Sequence, residues 1–446
     1  MTRPDSQNVL DHLITAARRA GADAADALIV ESVSASVSYR LGKLEDIERA
    51  ESSDLGLRVF VGQRVAFVSS TDLSPRGLAE LPERAVGMAR LAPEDRYACL
   101  APPNLLARSF PELEIEDNDE PSAEVLVERA RDVEGAAMAV PGITNSEGGG
   151  ASFGRTAIAL ATTEGFFGRY GATSHSIGVA VLAGEGTAME RDYESASARR
   201  NPDLEPAEMV GRSAGERTVA RLNPRRVKSQ AVPVVYEPRV ASGLLGHFAG
   251  AISGASVARG VTFLKDHMGE QVFAAGVTIV DDPHRPRGLR SKPFDGEGVR
   301  NKRMELVKNG VLQTWLLDCA SARQLGLATT GHAARGTGGP PSPSATNLYM
   351  EPGQCSPAEL LSDIREGLFV TELIGMGVNG VTGDYSRGAA GFWIENGAIA
   401  YPVSGVTIAG NLKDMYRNVT PANDLEFRYG MNAPTLRVEG LTVAGA

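Results

Sequence analysis

The stretch VYEPRVASGLLGHFAGAISGASVARG, residues 235–260, decides the fold of the second half of the chain. It leaves the strand-like run AVPVVYEP and continues as apolar and small residues. Gly246, Gly250 and Gly254 recur every fourth residue, which places small residues on one face of a helix. Such a face lets a strand or a ligand backbone approach closely. We therefore expect a Gly-rich helix over 239–258, with a curved, mostly antiparallel sheet packed around it.

The sequence that follows this helix is rich in short strands and turns. Asn309-Gly310 and Asn396-Gly397 each lie between alternating apolar runs, which is the pattern of a tight β-hairpin. GTGGPPSPS, residues 336–344, predicts a mobile loop or lid without regular structure. Residues 224–446 are thus expected to form a β-rich C-terminal domain.

The first half of the chain shows a helix, strand-like runs and a helix, and then shows the same order again. Helical patterns cover residues 8–20, 75–91, 122–139 and 206–222, with alternating apolar runs between the members of each pair. This order indicates an N-terminal α/β layer domain over residues 1–223, built from a duplicated helix–strands–helix unit. The expected fold class of the whole chain is α+β.

Composition limits the classes of function. The chain has 446 residues, a net charge of −10 and 42% hydrophobic residues. Its acidic balance counts against direct nucleic-acid binding, which needs clustered Lys and Arg. Cys99, Cys319 and Cys355 are widely spaced and fit a reducing compartment better than a disulfide framework. With neither a signal-peptide pattern nor a run of about 18 apolar residues, we expect a soluble cytoplasmic protein.

Two further stretches carry a family resemblance. Residues 294–336 contain FDGEG, an Asn-Gly turn and TGHAARG, and residues 375–412 contain TGDYS, ENGAIAYPV and VTIAGN. Together with residues 235–260 they resemble the TldD/PmbA family, also called modulators of DNA gyrase. The form VTIAGN resembles its PmbA branch, also called TldE, rather than its TldD branch.

The resemblance implies a vestigial metal site. In the TldD branch the helix carries His-Glu-x-x-x-His, and a cysteine near the C-terminus completes the zinc site. Matching the Gly246-His247 pair puts Ser242 at the first ligand, Gly243 at the general base and His247 at the second ligand. The C-terminal stretch DLEFRYGMNAPTLRV has no cysteine. Catalytic zinc needs about three protein ligands and a carboxylate base, so we expect neither catalytic residues nor metal in this chain.

Other residues leave alternatives open. His247 could be a hydrogen-bonded core histidine, or it could contact substrate or a partner. A relocated metal site is a further alternative. One group of candidate ligands lies in VDDPHRPRG and consists of Asp281, Asp282 and His284. The others lie elsewhere in the second half and are His267, Asp318, Cys319 and His332. None of them has metal-ligand spacing, and Asp-Asp-Pro-His is also a good turn sequence.

The segment TGDYSR could contact a peptide. Its members Gly383, Asp384, Tyr385, Ser386 and Arg387 are expected in a polar loop beside the cleft. The loop could donate backbone hydrogen bonds to an extended peptide or contact another subunit. A plain turn is the competing interpretation.

The resemblance thus implies a non-catalytic PmbA/TldE-type subunit. Its expected partner is a TldD-type metallopeptidase that holds the zinc, and its expected substrates are unfolded, extended or modified peptides. Without that partner the chain is expected to form a homodimer. One alternative is an autonomous metallopeptidase with a relocated metal site. A second is a regulator of DNA gyrase that acts by protein–protein contact.

Overall fold

The computed structural model describes residues 6–445. The first five residues of the expected N-terminal domain and the last residue of the expected C-terminal domain lie outside the described residues. Within residues 6–223, the N-terminal half contains four helices and six strands. In chain order these are α1 (Ser6–Ala20), β1 (Ala24–Arg40), β2 (Lys43–Val61), β3 (Arg64–Ser70), α2 (Pro75–Leu91), α3 (Ala123–Met138), β4 (Ile143–Thr162), β5 (Phe167–Ala183), β6 (Glu190–Ala198) and α4 (Ala207–Ala220). Two short 3-10 helices, Gly186–Ala188 and Asn201–Asp203, flank β6.

The six strands form one antiparallel sheet that contains the expected duplication. Its order is β3-β2-β1-β4-β5-β6. Each half of the sheet is a three-stranded unit with a helix before it and a helix after it, and the two units meet where β1 pairs with β4. Alternate strand residues bury one face under the helices, with Leu57 beneath the first pair and Val179 beneath the second.

The opposite face of this sheet meets the second half of the chain. Leu28 of β1 and Leu160 of β4 pack with Phe294, Val299 and Cys319 in one apolar cluster. The C-terminal half is therefore docked on the helix-free face of the N-terminal sheet. The division into two domains at residues 223 and 224 stays a prediction.

The described part of the C-terminal half, residues 224–445, contains five helices and thirteen strands. They are β7 (Gln230–Tyr236), α5 (Pro238–Ala251), α6 (Gly254–Ala258), β8 (Ile279–Asp281), β9 (Met304–Lys308), β10 (Val311–Leu312), α7 (Cys319–Leu325), β11 (Ala333–Ala334), β12 (Ser342–Pro343), β13 (Leu348–Met350), α8 (Pro357–Leu361), β14 (Glu366–Ile374), β15 (Asp384–Glu395), β16 (Ala398–Asn411), α9 (Leu412–Arg417), β17 (Val419–Pro421), β18 (Met431–Asn432) and β19 (Leu436–Ala444).

The main C-terminal sheet is curved enough to close on itself. Its order is β16-β15-β14-β7-β19-β17, and β16 also pairs with β19. All pairs are antiparallel except β7 with β14. A second sheet has the order β10-β9-β8-β13-β18. The Gly-rich helix α5 buries Leu244, Leu245 and Phe248 in the core between them, which confirms the expected α+β fold.

Two local expectations need correction. The helix expected over 239–258 ends at Ala251, because Gly254 donates to the carbonyl of Leu316 at 2.8 Å and draws the chain aside before α6. The segment 336–344 is not wholly irregular, since Ser342–Pro343 pairs with Ala333–Ala334. Both Asn-Gly turns have positive φ at each residue, which confirms the predicted hairpins. Within residues 6–445, every helix is too short or too polar to cross a membrane.

Candidate functional site

One face of α5 is packed and the other opens into a cavity. Pro238 occupies the first turn of the helix, where its missing N–H costs nothing. The buried face points into the core, while Gly246, His247 and Gly250 line a cavity of about 340 Å³. Arg387 of β15 and Met376 line the same cavity. The sequence therefore brings the family's site helix to a solvent-filled space rather than burying it.

Ser242 and Gly243 provide no metal chemistry at this face. The hydroxyl of Ser242 donates to the Arg239 carbonyl of its own helix at 2.9 Å. A side chain added at Gly243 would meet nothing within 4 Å, and the same holds at Gly246 and Gly250. The close approach of protein backbone expected at these glycines is therefore absent. Of the three glycines in the helical pattern, Gly254 is the one with such an approach, since a Cβ atom there would lie 2.9 Å from the Leu316 carbonyl oxygen and 2.5 Å from a Leu317 methyl group.

His247 is half-buried and faces the cavity. In the described part of the chain it makes no hydrogen bond, which differs from the hydrogen-bonded core histidine among the alternatives. Its ring lies edge-on to Tyr385, with centroids 6.3 Å apart. Burial lowers the pKa of His247, and the nearby charge of Arg387 lowers it further. The imidazole is therefore neutral and free to accept or donate one hydrogen bond.

The residues at TGDYSR are ordered differently from the expected polar loop. Gly383 forms the turn with a φ of +86°, and Asp384 begins β15. The amide of Gly383 donates to the Asn379 carbonyl at 2.8 Å, and the amide of Ser386 donates to the Gly377 carbonyl at 2.7 Å. Tyr385 is buried, whereas Asp384 and Ser386 are exposed. These two amides are therefore engaged within the chain, and peptide or interface contact by this segment stays a prediction.

The residues of the relocated metal site are dispersed among structural roles. Asp281 accepts from the Thr346 amide at 2.6 Å, and Asp282 accepts from the His284 amide at 3.0 Å in the predicted turn. His267 contacts Glu270, and Asp318 caps α7. The remaining two, Cys319 and His332, are buried, and Nε2 of His332 lies 3.3 Å from a carboxylate oxygen of Asp281, which is the one ion-pair contact between two of these residues in the described part of the chain. Over residues 6–445 no three His, Cys, Asp or Glu side chains are grouped to hold a metal ion.

The zinc implied by the resemblance does not fit these residues. Structural and catalytic zinc sites use three or four protein ligands. His247 is one nitrogen ligand, Ser242 is engaged within its helix and Gly243 has no side chain. No catalytic step through zinc can therefore be derived from this chain.

Two ionic contacts that position the site were not found from the sequence. Arg239 at the start of α5 donates to Asp192 of β6 at 2.9 Å, which ties the helix to the N-terminal sheet. Glu297 in FDGEG is buried and accepts from the Cys319 amide at 2.8 Å. It also faces Arg58 of β2, with 3.9 Å between the charged atoms. Glu237 and Arg239, which flank Pro238, were the available signal for the first contact.

Family models match nearly the whole chain. Residues 25–89 match domain 1, residues 116–222 the central domain and residues 229–445 the C-terminal domain of the PmbA/TldA metallopeptidases. Metalloprotease PmbA of Escherichia coli O157:H7 is 41% identical over 95% of this chain and 92% of its own. A PmbA homolog of Haemophilus influenzae is 36% identical over 96% of this chain and 94% of its own.

A solved structure agrees with these relatives. A modulator of DNA gyrase from Bacteroides thetaiotaomicron superposes with a TM-score of 0.92 at 25% identity, covering 100% of both chains. The fold therefore defines the class as an α+β protein with the architecture of the PmbA/TldA models. The chain belongs to the TldD/PmbA family. Its relatives are named metalloproteases, although the described residues of this chain include no metal site.

Proposed function

We propose that this chain is the non-catalytic, PmbA/TldE-type subunit of a two-subunit metallopeptidase. It shapes a peptide cavity and stabilises the complex, while a TldD-type partner holds the zinc and cuts the bond. One observation carries the proposal. The site helix keeps an open face with His247, yet Ser242 and Gly243 stand where a ligand and a base are needed.

An apolar rim beside this cavity supports the presence of a partner. Met376 is 93% exposed, Ile374 58% and Val381 55%. Met376 itself lines the cavity. Exposed apolar side chains grouped at a cleft mark interaction surfaces, and obligate interfaces bury about 2,000 Å² or more. In the absence of the TldD-type chain, this rim is expected to hold a homodimer together.

The cavity also supports contact with an unfolded or extended peptide. Gly246 and Gly250 leave space along the helix, and Arg387 adds a charged donor beside the neutral His247. The main sheet closes through β16 and β19, so strand addition has little free edge to use there. Peptide contact is therefore assigned to the cavity rather than to the sheet edge.

Co-purification with a TldD-type protein tests the proposal. The isolated chain should hold no stoichiometric zinc and cleave no peptide, and the mixed complex should cleave unfolded polypeptide faster than the partner alone. Met376→Asp should abolish association with the partner. Met209→Asp is the matched control, since Met209 is 59% exposed on α4, in the N-terminal half.

Three results would count against the proposal. They are chelator-sensitive cleavage by the isolated chain, about one zinc per isolated chain, and unchanged partner activity in the mixture.

A further inference from the structure

A cavity of about 440 Å³ lies between the two halves of the chain. Its floor is the helix-free face of the N-terminal sheet, where β4 and β5 present paired residues. These are Thr156 opposite Ala172 and Ile158 opposite Tyr170. The walls are Arg199, which follows β6, and residues 290–292 and 344–346 of the second half. The volume lies in the range of small-ligand sites.

The charge of this cavity is opposite to that of the chain. Its lining contains Arg199, Arg290 and Lys292 and, within the described residues, no Asp or Glu. The chain as a whole has a net charge of −10. Three cations that line one cavity, of which Arg290 is exposed, create a local positive potential. The cavity is thus suited to an anion.

Two of these cations, Arg199 and Lys292, donate to backbone carbonyls, and the buried carboxylates of Asp295 and Asp281 offset part of the charge of Lys292. Arg199 donates to the carbonyls of Thr173 at 2.9 Å and Gly288 at 3.3 Å. The Lys292 ammonium donates to the carbonyl of Ala333 at 2.9 Å. Carbonyl oxygens satisfy donors but bring no net charge. An oxyanion would supply that charge through charge-assisted hydrogen bonds.

Two buried carboxylates behind Lys292 are occupied by other donors. Asp295 accepts from the amides of Val299 at 2.8 Å and Ala333 at 3.1 Å. Asp281 accepts from the Thr346 amide at 2.6 Å. Burial lowers the pKa of Lys292, these carboxylates raise it and Arg290 lowers it again. The ammonium is therefore poorly solvated and has room for an anionic partner on its cavity side.

A smaller cavity of about 160 Å³ shares Ile158, Tyr170 and Lys292 with the first. Its further lining includes Leu28, Leu160 and Phe294, and it also contains the buried charged side chains of Asp295 and Arg335. A mainly apolar compartment thus adjoins the cationic one. A ligand that fills both would carry an oxyanion at one end and an apolar group next to it.

We propose that this double cavity binds an oxyanion, a carboxylate or a phosphate, whose carrier places an apolar group in the smaller compartment. Arg290 and Lys292 contact the oxyanion, and Arg199 positions the cavity wall through its hydrogen bonds to the carbonyls of Thr173 and Gly288. The proposal requires neither a metal nor a second subunit. Its outcome is therefore distinguishable from that of the proposed peptidase complex.

Calorimetric titration of the full chain tests this site. The probes are inorganic phosphate, the tripeptide Ala-Ala-Phe as free acid, and the same tripeptide as its C-terminal amide. Arg290→Gln should weaken binding about tenfold, the usual effect of one charge-assisted hydrogen bond. Arg290→Glu should abolish it. Arg76→Gln removes the same charge from the exposed surface of α2 and should change nothing.

The probes separate the two sources of the oxyanion. Binding of the free acid but not of the amide assigns a peptide carboxylate, and binding of phosphate alone assigns a phosphate group. Either result supports the site if Arg290→Glu removes it. The proposal is overturned if the wild-type chain binds none of the probes, or if Arg290→Glu binds them equally well.

Discussion

The imidazole of His247 lies edge-on to the phenol of Tyr385, with ring centroids 6.3 Å apart and an angle of 81° between the planes. Burial raises the pKa of Tyr385 to about 12, so the phenol stays protonated. Burial and the charge of Arg387 together lower the pKa of His247. The one histidine kept from the family's metal-site positions is thus held neutral by its surroundings.

Replacing Arg387 with Gln should raise the pKa of His247. The cation disfavours a protonated imidazole, and its removal leaves only burial to lower the pKa. The value should therefore rise but remain below that of an exposed histidine. An NMR titration of the imidazole measures it, with Arg76→Gln as the control in the other half of the chain. An unchanged pKa in Arg387→Gln would refute the electrostatic coupling.

Restoring Ser242→His and Gly243→Glu together should leave the chain without peptidase activity. Two imidazoles and a base still lack the third ligand, and an open two-histidine site holds zinc weakly. Gly243 is exposed and a Cβ atom there has no neighbour within 4 Å, so the change at this position should not disturb the packing of the helix. Metal analysis and a peptidase assay check this. Robust activity would reveal a third ligand.

Two glycines on the same segment should respond in opposite directions to alanine. Gly243→Ala should stabilise the protein by about 0.5–1 kcal/mol, because alanine favours a helix interior and the site is open. Gly254→Ala should destabilise it by about 1–3 kcal/mol, since the new Cβ atom would lie 2.5 Å from Leu317. Urea unfolding of the two variants measures both values. Equal shifts would contradict the assigned packing.

The buried Glu297 should make stability depend on pH. Burial, and then the charge of Asp295, raise its pKa to about 7, above the value of about 4.3 in an unfolded chain. Between these values the folded state holds more protons, so this group lowers stability as pH rises and has no further effect above about 7. Glu297→Gln should remove that loss while its amide oxygen still accepts from Cys319.

Melting temperatures at about pH 5 and about pH 8 test the role of Glu297. The wild-type chain should lose more stability over this interval than Glu297→Gln, whereas exposed Glu48→Gln should behave like wild type. If wild type and Glu297→Gln show the same pH dependence, the carboxyl group is not protonated in the folded state.

The local sequence was sufficient to predict the structure wherever a few neighbouring residues set the backbone conformation. The turns at Asn309-Gly310 and Asn396-Gly397 have the positive φ angles that this pair favours. The duplicated helix–strands–helix order was visible because each amphipathic period is local. The positions of Ser242, Gly243 and His247 also came from the sequence, through the family motif.

The length of the site helix could not be obtained in this way. The helical spacing of residues 239–258 continues past Ala251, where α5 ends. The end is imposed by a hydrogen bond between Gly254 and Leu316, which are far apart in the chain. Local propensity contains no information about such a partner.

The sequence by itself determined the family, the α+β class and the presence of Ser242, Gly243 and His247 on the site helix, since each depends on residue identity or short-range pattern. Only the tertiary structure decided that this helix opens onto a cavity and that Arg239 meets Asp192. It also decided that Arg199, Arg290 and Lys292 line one cavity. Cavities and charge clusters arise from contacts between distant segments, and these exist only once the two sheets have closed and docked.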